Sequence, residues 1–245
     1  MPALKQSKIL VAFALIAISL FLSVYAAEGG VEEMLSNLHW LGHASFRLDA
    51  SKTIYFDPWK LPPNSPKADF IFITHDHYDH YSLDDVRMIS SENTVIVADN
   101  SVAGQLRGEK LAYKEIRVLS PQDSIEVSGI KIRAIPSYNI GKQFHTKDSR
   151  KLGFIVTIDG VRIYHAGDTD NIPEMADYLC DIALLPVSGT YVMTAEEAAR
   201  AALAIKPKVA VPMHYGDIVG SKADAQKFQD LLKGKIEVRI LNKES

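Results

Sequence analysis

Residues Asp69–His80 read DFIFITHDHYDH, an apolar run that ends in three histidines with Asp76 and Asp79 among them. Ile71, Phe72 and Ile73 with their neighbours are too few for a helix and rich in β-formers, so the spacing predicts a short buried strand ending at Thr74. The polar cluster then stands at a strand end. His75, His77, Asp79 and His80 fall within six residues, and imidazole nitrogen with carboxylate oxygen is the donor set preferred by zinc and similar divalent ions. A solvated polar loop is the weaker reading, because crowded histidines repel one another as cations and need partners when neutral. Asp76 lies between these positions and reads as a supporting or solvated residue.

Two further strand ends carry the same donor types. Upstream, Ala44–Leu48 and Thr53–Phe56 pattern as strands joined by the turn Asp49-Ala50-Ser51-Lys52. Asp57-Pro58 closes the second, either as a plain turn or as a carboxylate that orients a metal-binding histidine. His43, in LGHASF, is open to a site role or a structural one. Downstream, Ser82 and Asp85 cap a helix through Ile89. Strands are expected at Thr94–Ala98, Ile116–Leu119, Ser124–Val127 and Ile130–Ile135, with a short helix at Ser101–Leu106. A long polar loop from Pro136 contains Tyr138 and Asn139, both able to donate to a substrate, and His145 as its one strong ligand. Gly153–Ile158 and Val161–His165 form a hairpin across Asp159-Gly160, leading into HAGDTD and Asp168. Ile182–Pro186 is a strand, Thr194 with Glu197 caps a helix through Ala204, and Val209–Val211 leads into PMHYG and His214. A helix from about Ala223 to Leu232 and a strand through Leu241 close the chain. Tyr191 and Tyr215 fall near the rim, either to steady an oxyanion or to pack.

The 245 residues are 47% hydrophobic, ample for a sizeable core, and the net charge of −3 is well mixed, with no basic run to serve nucleic acid. Cys180 is the only cysteine and closes no intrachain disulfide; its apolar surroundings give it a core role. Residues 1–27 stand apart from the fold. Lys5 and Lys8 precede an uncharged run, Ile9–Ala27, ending with small residues suited to an export peptidase. The run is also long enough for an uncleaved membrane anchor. In both cases residues 28–245 form one α/β domain outside the cytoplasm, with membrane attachment through residues 9–27 in the second. Oligomeric state is not legible.

THDHYDH from Thr74, HAGDTD from His165 and MHYG from Met213, with WLGHASF and DPW before them, resemble the metallo-β-lactamase fold superfamily, and within it the Zn-dependent hydrolase branch that includes the ascorbate-6-phosphate lactonase type. The resemblance implies an α/β four-layer αβ/βα sandwich with two divalent metal ions at one edge between the sheets, zinc by preference, with Mn2+ or Fe2+ as alternatives. It puts His75 and His77 on the first ion, Asp79, His80 and His214 on the second, and Asp168 between them. The remaining histidine of the first ion usually follows a mid-chain strand; here Ser137-Tyr138-Asn139 occupies that place and His145 comes later. His165 would support the site from behind Asp168. Two ions sharing a water lower its pKa toward neutrality and polarise a carbonyl or phosphoryl oxygen. The expected activity is hydrolysis of a small ester, lactone or phosphodiester by a metal-bound hydroxide, with Asp168 and Asp79 as catalytic residues and Asp79 also orienting the nucleophile. The alternative is a metal-binding or envelope partner-binding protein that keeps the fold without turnover.

Overall fold

The computed structural model describes residues 29–244. The export or anchor segment lies outside the described residues. No helix among the described residues is long and apolar enough to cross a membrane.

Two sheets build the molecule. The first has the order β1 (Leu38–Gly42), β2 (Ser45–Asp49), β3 (Thr53–Phe56), β4 (Phe70–Ile73), β5 (Val95–Ala98), β6 (Glu115–Val118). The second runs from β13 (Glu237–Val238) through β12 (Val209–Met213), β11 (Ile182–Pro186), β10 (Val161–His165), β9 (Leu152–Ile158) and β8 (Ile130–Pro136) to β7 (Ser124–Val127). Helix α1 covers residues 29–36, and α2 (Leu83–Ile89), α3 (Asn100–Arg107), α4 (Ala195–Ile205) and α5 (Lys222–Leu232) follow in chain order.

The period-two rule for strands sets the layers. Along β4, Phe70 and Phe72 enter the core that the two sheets share, beside Phe56 and Phe154. Ile71 and Ile73 point the other way, onto Val86 and Ile89 of α2 and Val102 and Leu106 of α3. On the second sheet, α4 and α5 pack on β11 and β12 and on each other. Helices outside, two sheets inside: the result is the four-layer αβ/βα sandwich. Local signals fix most ends. Asp99 accepts from the Val102 amide and starts α3, while Thr194 and Glu197 close a reciprocal capping box on α4. Ser82 accepts from Asp85 N at the start of α2. The Asp85 carboxylate instead takes the amides of Lys60 and Leu61, so the sequence's capping pair is used in one direction only. The last strand is also shorter than its apolar pattern predicts. Only Glu237 and Val238 pair with β12; Ile240 and Leu241 pack sideways against the core. Cys180 is buried, and burial pushes its thiol up to about 12.

The pairing direction positions the site. Strands β3 to β6 are mutually parallel, as are β10 to β13. Their carboxyl ends meet at one rim, where open α/β sheets place ligands.

Candidate metal centre

Every residue proposed from the sequence as a ligand leaves the end of a strand or a loop just beyond one. His75, His77, Asp79 and His80 follow β4, Asp168 follows β10, His214 follows β12, and His145 lies on the loop after β8. Gly167 lets Asp168 come close. Its φ of +62° is left-handed, and a Cβ there would meet the Leu152 carbonyl oxygen at 2.9 Å and Thr74 Cβ at 3.1 Å. The chain also turns left-handed at four non-glycine residues of the centre: His43 (φ 50°), Asp57 (43°), His145 (54°) and His214 (61°).

The seven side chains form two groups. His145 Nε2 lies 3.3 Å from His75 Nε2 and 3.0 Å from His77 Nδ1. His80 Nε2 and His214 Nε2 approach Asp168 Oδ1 at 3.0 and 3.2 Å, with Asp79 Oδ2 3.9 Å from His80 Nε2. The other Asp168 oxygen, Oδ2, faces the first group, 3.6 Å from His145 Nε2 and 4.0 Å from His75 Nε2. One carboxylate thus addresses both groups, one oxygen to each.

Hydrogen-bond logic fixes which ring atoms carry lone pairs. Thr74 Oγ1 donates to Asp57 Oδ2 at 2.7 Å, so its contact with His75 Nδ1 at 2.9 Å requires the ring nitrogen to donate. His75 Nε2 is left as a bare lone pair aimed at the site. The same Asp57 Oδ2 accepts from His80 Nδ1 at 2.7 Å, turning His80 Nε2 inward as well. Asp57, fully buried, therefore orients two inward nitrogens at once. Ser188 Oγ holds His214 Nδ1 at 3.2 Å.

These groups fit a divalent cation. Buried His80 Nε2, His214 Nε2 and Asp168 Oδ1 have no hydrogen-bond partner although they converge on one another. A tetrahedral ion with nitrogen ligands at about 2.0–2.1 Å has ligand-to-ligand edges of about 3.3 Å, close to the separations within the histidine trio. Charge states agree. Burial and the facing His80 imidazole hold His75 well below the usual histidine range, and burial pushes His145 down to about 4, so both rings are neutral donors. Burial works to raise the Asp168 carboxyl, but the His214 and His80 imidazoles outweigh it and hold it well below the usual carboxylate range. For His80, burial is outweighed by Asp168 and Asp57, which hold its pKa well above normal.

His43 enters the site as well. Its ring is buried, 3.0 Å by Nε2 from Asp79 Oδ2 and 3.8 Å centre to centre from the His214 ring, and its carbonyl accepts the His214 amide. Burial keeps it below the normal histidine range. Nothing local in LGHASF distinguishes that role; the β1–β2 register shifts between Trp40 and Gly42, just before His43. His165 lies behind the site: its ring stacks on Phe56 at 5.2 Å with Nε2 against the Ala44 carbonyl at 2.8 Å, while Nδ1 accepts the Gly167 amide at 3.3 Å and stands 4.0 Å from Asp57 Oδ2. Tyr138 and Asn139 are not free for a substrate: the Tyr138 hydroxyl donates to Glu174, and Asn139 Nδ2 donates to the carbonyls of Phe144 and Tyr191. Tyr215 is buried against Trp40 at 4.8 Å, whereas Tyr191 stands at the cavity mouth.

Asp76 ties the ligand loop to the rest of the fold. It pairs with Lys151 and accepts from Ser101 Oγ at 2.6 Å. Burial opposes its ionisation, but the Lys151 and Ser101 hydrogen bonds prevail and bring the carboxyl down to about 2. A depressed carboxylate contributes stability above its unfolded pKa, and that contribution fades as pH falls from about 4 through about 2. Lys151→Met should therefore flatten the acid limb of the stability curve, by about 1 kcal/mol after solvent screening. Urea unfolding from pH 6 to pH 2 reads it, and parallel curves for the two chains would refute the link.

The two-sheet fold with a split histidine and aspartate cluster at its rim defines a metallo-hydrolase of the metallo-β-lactamase type. Residues 37–214 match the family described as "Beta-lactamase superfamily domain", and the chain belongs to it. A relative described as a UPF0173 metal-dependent hydrolase, from Thermococcus onnurineus, is 34% identical over 217 residues, covering 83% of this chain and 95% of its own. The crystal structure of a candidate metal-dependent hydrolase from Parabacteroides distasonis superposes with a TM-score of 0.73 at 35% identity, over 85% of this chain and 93% of that one. Igni18, a metallo hydrolase from Ignicoccus hospitalis, shares the fold at a TM-score of 0.69 and 24% identity, over 85% and 95% of the two chains.

Proposed function

We propose that this metal-dependent hydrolase works with two divalent ions, zinc by donor type, and cleaves a small ester, lactone or phosphodiester by direct attack of water. The observation that carries the reading is Asp168, whose two oxygens face two separate donor groups, 3.0 Å from His80 on one side and 3.6 Å from His145 on the other. His75, His77 and His145 would hold one ion, Asp79, His80 and His214 the other, and Asp168 both. When bound, the pair supplies an acidified water and a Lewis acid for the substrate oxygen. Asp79 would orient that water and take its proton. Burial opposes its charge, but the His43 hydrogen bond and the His80 imidazole keep it ionised. Among the described residues, the cavity is lined by no serine, threonine, cysteine or lysine, which supports attack without a covalent enzyme intermediate. The lysine-flanked apolar run before the domain supports export, as a cleaved signal or a retained anchor.

Metal content of the purified chain by mass spectrometry, beside turnover on ester, lactone, phosphodiester and β-lactam panels, tests the proposal. Two ions per chain and turnover on one panel are expected, and both should be lost together in an Asp79→Ala, His80→Ala double variant. Equal activity in that variant sinks the mechanism.

A further inference from the structure

The cavity over the metal centre measures about 610 Å3, room for far more than a reacting bond. Its outer walls are apolar. Tyr78 (68% exposed), Phe144 (48%), Tyr191 (47%) and Ile218 (40%) all line it, half of the eight large hydrophobic side chains that stand exposed among the described residues. Scattered exposed apolar side chains are ordinary, but a concentration around one cleft marks a binding surface.

The wall is held in place. Phe144 and Tyr191 meet edge to face at 5.4 Å, and Asn139, buried beneath them, donates to the backbone carbonyls of both. Lys142 reinforces the junction, pairing with Asp170 and donating to the Val192 carbonyl at 2.7 Å. On the opposite side Tyr78 packs edge-on against Trp59 at 6.4 Å.

Charge narrows the ligand further. Sites for a phosphate monoester are built with arginine or lysine, and among the described residues neither lines this cavity. Three lysines near the cavity are committed to carboxylates, Lys142 to Asp170, Lys151 to Asp76 and Lys243 to Asp217, and Lys60 lies over the Trp59 ring at 4.1 Å. Asp79 and Asp168 are taken up by the ions in this reading and Asp76 by Lys151, so among the described residues the lining offers no free cationic side chain to a second anionic group.

We infer that the non-reacting part of the substrate is an uncharged alkyl or aryl group laid against Phe144, Tyr191, Tyr78 and Ile218, and that phosphorylated sugars and similar dianions are not substrates. This rests on the metal-centre reading above and adds the substrate's chemical class. Binding away from the reacting bond is what lets an enzyme spend remote contacts on its transition state.

Calorimetric titration of the metal-loaded full-length chain with straight-chain alkyl hydroxamates, from acetyl to octanoyl, tests the wall without requiring turnover. Affinity should rise about fourfold per methylene as the chain covers the wall, and glucose 6-phosphate should bind more weakly than hexanoyl hydroxamate. A Phe144→Ser, Ile218→Ser double variant, changed only at exposed positions, should flatten the series while binding acetohydroxamate as before. A flat series in the unmodified chain, or tighter binding of glucose 6-phosphate, overturns the inference. Acetohydroxamate separates the two readings: if it binds while the series is flat, only the apolar wall fails, whereas no binding by a metal-loaded chain removes the metal-centre reading on which the wall depends.

Discussion

Asp168→Asn is expected to lower kcat/KM by about a thousandfold or more, roughly 4 kcal/mol of transition-state stabilisation, and to reduce the bound metal below two ions per chain. The amide keeps the shape of the carboxylate and removes its charge. Asp168 is buried, and each of its oxygens faces different histidines: Oδ1 faces His80 and His214, and Oδ2 faces His75 and His145. An amide offers one acceptor and one donor, so it cannot serve both groups, and the donor end points N–H at ring nitrogens that need a cation. Cooperative unfolding should persist, because the sheets do not depend on this side chain. Metal analysis beside steady-state kinetics decides the matter. Two ions and activity within tenfold of the parent would show that Asp168 does not join the groups.

The second large effect is on stability. Asp57→Ala should destabilise the metal-free protein by about 3–5 kcal/mol. It leaves three buried donors unpaired: the Thr74 amide, which Oδ1 accepts at 2.8 Å, and the Thr74 hydroxyl and His80 Nδ1, which share Oδ2. It should also weaken metal binding by about 10- to 100-fold, the usual consequence of removing a carboxylate behind a ligating histidine. Asp57→Asn separates the two effects. Its remaining oxygen still accepts the Thr74 amide, while its nitrogen faces His80 Nδ1 and forces that ring out of its inward-facing tautomer. It should therefore bind metal poorly at a smaller loss of stability. Urea unfolding in chelator gives the stability free of metal linkage, and competition with a chromophoric chelator gives the affinity. A loss below 1 kcal/mol for the alanine variant would remove Asp57 from this role.

The fold was legible where a local rule determined it. The short apolar run of β-formers at Phe70–Ile73, the Asp159-Gly160 turn and the Thr194 and Glu197 capping box each specify their own conformation, and the structure follows them. The grouping of candidate ligands was legible for another reason: metal-ligand donor types are conspicuous at strand ends, and parallel strands bring such ends to one rim. What could not be read locally were roles that depend on tertiary neighbours. Asp57-Pro58 makes a good turn whether or not a histidine leans on the carboxylate; only the pairing of β3 with β4 brings Thr74 and His80 to it. His43 and His165 follow the same pattern of histidine beside a β-strand, yet one reaches Asp79 and the other, packed among phenylalanines, reaches only Asp57 and the Gly167 amide behind the ligands. His145 stood far along its loop in sequence, but Asn139 folds that loop back, its amide taking the His145 carbonyl at 2.7 Å.

The left-handed backbone at His145 gives the chain a bias in how it changes over generations. An ordinary residue there costs about 1 kcal/mol that glycine does not, and the ring adds close contacts with two other imidazoles. Selection for folding alone would drive this codon toward glycine and leave the sheets intact. Descendants that have abandoned the chemistry should thus be sturdier than their active relatives, and a screen rewarding heat tolerance without turnover will enrich for them.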